Sequence, residues 1–118
     1  MGSIMRVFHL PAAAAIITGF VFVSAADAAS AEKGKAAYVK HGCWQCHGFD
    51  GAGSVAGAKI APNPMPLEAL TVFVRNTNGN MPPYQKAVLP DADLADIHAY
   101  LQSVPKAPDP KSIPLLNP

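Results

Sequence analysis

Few of the features that usually decide a function class are present in this sequence. It carries only two cysteines, Cys43 and Cys46, so there is no second cysteine pair to complete a four-cysteine zinc site. Its net charge is +1 at pH 7, and Lys and Arg are scattered with no run of like charges. The basic stripe of a nucleic-acid binder is therefore missing. No phosphate loop, nucleotide site or hydrolytic triad stands out. No stretch reads as a strand and no segment repeats itself.

What is present divides unevenly along the 118 residues. Met1 to Ala29 has the pattern of a secretory signal peptide. Arg6 gives a short basic start, Leu10 to Val23 an apolar stretch, and Ala26-Asp27-Ala28 a small-residue cleavage triplet. The apolar stretch falls short of the roughly 20 residues a spanning helix needs. Counted from Phe8 to Ala26 it is longer, but His9, Pro11 and Gly19 interrupt it. An uncleaved membrane anchor is the alternative to cleavage. Either outcome puts the rest of the chain outside the cytoplasm, which in a bacterial cell is the periplasm.

Beyond residue 29 lie all but one of the 12 prolines and seven of the nine glycines. A chain this short buries a modest core and benefits from a staple such as a metal or cofactor. Helical signals occur in three places, which predicts an all-α fold of three main helices. Ser30 to His41 has a capping serine, and Gly34 and Tyr38 lie four apart on one face before the stop at Gly42. Pro66 to Arg75 starts with a proline suited to the first helical position and carries Leu67, Leu70 and Val74. Asp91 to Val104 has acids in its first turn and Leu94, Ile97, Leu101 and Val104 at three- and four-residue spacing. Pro105 ends it. Gly42 to Pro64 and Asn76 to Pro90 read as loops. Residues 105–118 form a Pro-rich tail, expected to lie extended on the body or reach toward a partner.

The chemistry lies in Cys43-Trp44-Gln45-Cys46-His47. This is the C-x-x-C-H pattern of covalent c-type haem attachment. Two residues between the cysteines let one turn of chain bring both sulfurs to the vinyl groups on one porphyrin edge. The adjacent imidazole then reaches the iron, and its second ring nitrogen should donate to a backbone carbonyl. Three plainer accounts compete: a redox dithiol, a simple disulfide in an oxidising compartment, and half a zinc site. The zinc site lacks its other half, and a thioredoxin-like dithiol lacks its βαβ setting.

An electron carrier does best when protein fills both axial positions of the iron. Two methionines remain beyond the leader, Met65 and Met81. Met81 lies in Asn80-Met81-Pro82-Pro83-Tyr84, where the prolines would stiffen the loop and hold the sulfur at little entropic cost. Met65, between Pro64 and Pro66, and the histidines His41 and His98 are the other candidates.

These residues resemble the class I c-type cytochromes over about residues 30–104. The resemblance rests on Gly34 and Tyr38, on Cys43 to His47, on Met81-Pro82-Pro83-Tyr84, and on Leu94 through Leu101. It implies the cytochrome c fold wrapped round one haem c, with Cys43 and Cys46 tethering the ring and His47 and Met81 binding the iron. It also implies that the first and last helices cross closely at Gly34, with Tyr38 and Tyr100 beside the crossing. One departure is visible. Where the family often has Gly-Pro after the haem motif, Gly57 is followed here by Ala58, leaving the Ala58 carbonyl or that of Pro62 to receive the histidine N–H.

The expected function is single-electron transfer, not catalysis, from a periplasmic dehydrogenase to a terminal oxidase or another cytochrome. The small size and Pro-rich tail are also similar to cytochrome subunits of flavocytochromes of the p-cresol methylhydroxylase type. On that alternative the protein is a fixed subunit with residues 106–118 as a docking strap. A haem enzyme or gas sensor would need an open sixth position, which a bound Met81 closes. Trp44 and Tyr84 are expected to shield the haem, with plain packing the simpler role for Trp44.

Overall fold

The structure, a computed structural model, describes Gly2 and residues 28–117. The expected signal peptide lies outside the described residues except for Gly2, Ala28 and Ala29. Four α-helices follow: α1, Ala31–Lys40; α2, Trp44–His47; α3, Leu67–Asn76; and α4, Asp91–Ser103. Two single 3-10 turns, Pro110–Ser112 and Pro114–Leu116, close the chain. Among the described residues there is no strand, and no helix is long and apolar enough to cross a membrane. The fold is all-α, as expected.

The Ser30 hydroxyl accepts the Lys33 N–H and starts α1. Glu32 lies in its first turn and Lys40 in its last, both complementing the helix dipole. Gly42 then adopts φ +76°, a left-handed conformation open to glycine at little cost, and its N–H bonds the Val39 carbonyl. Two expectations need correction. Pro66 is not the first residue of α3 but its N-cap: its ψ of 145° is extended, and its carbonyl accepts the Leu70 N–H. The segment Gly42 to Pro64 is not all loop, because α2 is the haem motif itself, one helical turn too short to show a period. At the other end Val104 is extended, as a residue before proline should be, so α4 stops at Ser103.

Helices α1 and α4 pack on each other to form the centre of the domain. Gly34 is what allows their approach. A Cβ there would overlap the Asp96 backbone carbonyl and lie 2.9 Å from the Tyr100 Cβ. Tyr38 and Tyr100 meet beside the crossing with ring centroids 5.5 Å apart and planes tilted by 58°. Asp96 accepts the Ser30 N–H at 2.6 Å at one end of the pair, and Asp93 accepts from the His41 ring at 2.8 Å at the other. Tyr38, Leu89, Leu94, Ile97 and Leu101 are buried behind the crossing. The tail is exposed except at Ile113, and it is held by its own bonds. Asp109 caps the first turn, and the Asn117 amide donates to the Pro110 and Ile113 carbonyls.

Candidate functional site

The positive-φ turn at Gly42 leads directly into the motif. His47 N–H bonds the Cys43 carbonyl at 3.0 Å, so the five residues make one helical turn with Cys43 and Cys46 three apart on the same side. The two sulfurs are not bonded to each other. Burial pushes the Cys43 thiol up to about 11. A nucleophilic redox dithiol needs the opposite, a thiol lowered toward neutrality.

The loop after α2 folds back on the motif. Gly53 N–H donates to the His47 carbonyl at 2.9 Å, and the Ser54 hydroxyl donates to the Cys46 carbonyl at 2.6 Å. Gly57 passes so close that a Cβ there would lie 2.7 Å from the Cys46 carbonyl oxygen. This approach brings the next residue to the edge of the imidazole. His47 Nδ1 lies 2.7 Å from the Ala58 carbonyl oxygen. A carbonyl only accepts, so Nδ1 carries the proton and the Nε2 lone pair is left for a metal. The acceptor is therefore Ala58, and Pro62 does not take that role. Gly57, packed against the Cys46 carbonyl, places this loop, so the bond forms with no proline at position 58.

The other wall comes from α3 and the loop to α4. The Thr77 hydroxyl donates to the Met81 carbonyl at 2.7 Å, and the Tyr84 N–H donates to the Val74 carbonyl at 2.8 Å. Arg75 donates to the carbonyls of Tyr84 and Leu89 at 2.8 and 2.7 Å and to the Asp91 carboxylate at 2.8 Å. The three tyrosine hydroxyls reach backbone carbonyls on either side of the haem motif. Tyr84 bonds His41 at 3.0 Å, Tyr38 bonds Gly48 at 2.8 Å, and Tyr100 bonds Phe49 at 2.8 Å. Burial raises the pKa of all three phenols, which keeps them protonated as donors.

Between the walls is a cavity of about 450 Å³. Cys43, Cys46, His47 and Met81 all line it, on a background of aliphatic side chains from α3 and α4 such as Leu70, Val74, Leu94 and Ile97. The sequence-predicted residues are thus brought to one space. That space is within the size range of cofactor sites and is lined mainly by apolar side chains, as a porphyrin face requires. Met65 also lines the cavity. His41 and His98 do not: the His41 ring is bonded to Asp93, and His98 Nε2 donates to the Met65 carbonyl at 3.1 Å. Tyr84 lines the cavity as expected of a shield. Trp44 does not, and stacks instead on Phe49 at 4.6 Å with planes within 10°. Among the described residues no group of three or more His, Cys, Asp or Glu side chains could hold a bare metal ion.

Arg75 and Thr77 were not predicted from the sequence as site residues. Thr77 bonds the nearby Met81 carbonyl and Arg75 reaches two later carbonyls and the Asp91 carboxylate, contacts whose only sequence hint is a cation in the last turn of α3 just before the methionine loop.

A helical domain with this motif, its oriented histidine and a haem-sized apolar cavity is a c-type cytochrome domain. The family model described as cytochrome c oxidase, cbb3-type, subunit III matches residues 29–101, and the chain belongs to that family. Its cofactor is covalently bound haem c, and the domain points to an electron carrier rather than an enzyme. No curated protein and no solved structure matches the chain.

Proposed function

We propose that the protein is a class I, monohaem electron carrier of the periplasm, with the ring tethered at Cys43 and Cys46 and the iron held between His47 and Met81. The haem supplies a one-electron ferric–ferrous couple. The observation that carries this reading is the His47–Ala58 hydrogen bond of 2.7 Å, made beside a cavity that both cysteines and Met81 share. That bond fixes the tautomer and raises the basicity of Nε2. The Met81 thioether favours the reduced metal and raises the potential. Thr77 and the tyrosine bonds hold both ligand-bearing segments still, so little reorganisation accompanies a change of charge.

The electron donor on this reading is a periplasmic dehydrogenase, and the acceptor is a terminal oxidase or another cytochrome. The matched family is named for a subunit of a cytochrome c oxidase, which supports an oxidase as acceptor. One observation favours a second reading, a fixed subunit of a dehydrogenase complex. The tail holds its own turns while Leu115 and Leu116 stay 92% and 62% exposed, as a strap meant for another protein would.

A spectroscopic redox titration of the purified holoprotein tests the carrier reading. A low-spin spectrum, a far-red iron–sulfur band in the oxidised protein and a single one-electron wave are expected. A high-spin spectrum with an open sixth position would instead indicate a sensor or peroxidase.

A further inference from the structure

In the loop from Thr77 to Pro90, which carries Met81, Leu89 alone is fully buried, Met81 and Tyr84 are half-buried against the core, and Pro82, Pro83 and residues 85–88 are exposed. Such a loop is expected to open easily. Thr77 and Tyr84 tie it from within, and one side chain spans its neck. Arg75, at the end of α3, donates to the Tyr84 carbonyl in mid-loop, to the Leu89 carbonyl at its far end, and to Asp91 at the start of α4. The side chain is 18% exposed, so these charge-assisted bonds are partly shielded from water. The planar guanidinium can serve three acceptors in fixed directions, whereas a lysine ammonium on a flexible stem cannot match that fork. Asp91 is also paired with Lys86, so it keeps a cation partner without Arg75.

We propose that Arg75 is the positioning residue for the sixth ligand: its guanidinium clamps the neck of the 77–90 loop and so sets how often Met81 leaves the iron. This rests on Met81 being the axial ligand, as proposed above. The two neck carbonyls are the working contacts, and the Asp91 carboxylate orients the guanidinium from outside.

The test is imidazole binding to the oxidised holoprotein, since an added ligand enters only when Met81 has swung away. Its rate is read together with the far-red iron–sulfur band and the helical melt. Arg75→Lys keeps the charge but loses the fork. It is expected to bind imidazole roughly ten- to a hundredfold faster, the range that losing charged hydrogen bonds gives, and to show a weakened band while still melting cooperatively. Asp91→Asn, which leaves both carbonyl bonds in place, should stay within about threefold of wild type. If Arg75→Lys does not fold, Arg75→Gln takes its place, since its amide can still serve one carbonyl. A wild-type rate and band in whichever of the two folds overturns the clamp. Met81→Ala separates the two ideas. If it retains the band, the ligand assignment has failed. If it loses the band while the Arg75 variant behaves as wild type, only the clamp has failed.

Discussion

The Tyr84 hydroxyl donates to the carbonyl of His41, 43 residues away, and so joins the methionine loop to the residue just before the haem-motif turn. The two segments proposed to offer iron ligands are thereby held to each other directly. Tyr38 and Tyr100 close the far side of the motif at Gly48 and Phe49 in the same way.

Tyr84→Phe keeps the ring and removes this bond alone. The loss of one partly buried neutral hydrogen bond should cost about 1 kcal/mol, with the His41 carbonyl left to find water. For a domain of this size the melting temperature should fall by about 4–8 °C. Calorimetry on the holoprotein checks this. An unchanged melt would mean that the Tyr84 hydroxyl contributes nothing beyond what water offers.

Gly34→Ala addresses the helix crossing. Its new methyl would overlap the Asp96 carbonyl, which is backbone and cannot turn aside. Overpacking of this kind costs about 1–3 kcal/mol or more, so the variant should melt well below wild type and yield less holoprotein. Gly79→Ala, with nothing near its Cβ position, is the control.

Acid should loosen the same crossing. The hydrogen bond from His41 holds the Asp93 carboxyl below the usual carboxylate range, and Lys40 adds to the effect. Asp91 is lowered likewise by Lys86 and Arg75. A carboxyl whose folded pKa is depressed contributes stability above its unfolded pKa of about 4 and loses it as pH falls through the folded value. Stability should therefore drop below about pH 4, and Asp93→Asn should be less stable near neutrality but show a flatter acid limb. Melts of wild type and variant between pH 2 and 7, about the range set by these carboxyls, make the comparison.

How much of this could be read in advance varied with how local each feature is. Cys43 to His47 was legible because haem attachment needs fixed spacing within five residues. Gly34 and Tyr38 were legible only through resemblance, since a crossing partner 62 residues away leaves no local trace. The acceptor for His47 could not be chosen from sequence. It depends on Gly57 lying against the Cys46 carbonyl, a tertiary contact. Pro66 looked like a first helical residue, and only its extended ψ makes it the cap. Arg75 was invisible as a clamp because two of its acceptors are backbone carbonyls, which every residue offers.

Cys43→Ala combined with Cys46→Ala removes both tethers and leaves His47 and Met81 in place. The aliphatic cavity walls would then depend on a haem free to leave. This variant should lose its colour under denaturing extraction and melt without cooperativity. A colourless double variant that still melts sharply would show that haem is not the centre of this core.

The most direct test is mass spectrometry of the exported protein under denaturing conditions, followed by peptide mapping. A mature chain carrying one haem that survives denaturation is expected, with both thioethers on the peptide containing Cys43 and Cys46. A bare chain, with those two sulfurs free or bonded to each other, would contradict it.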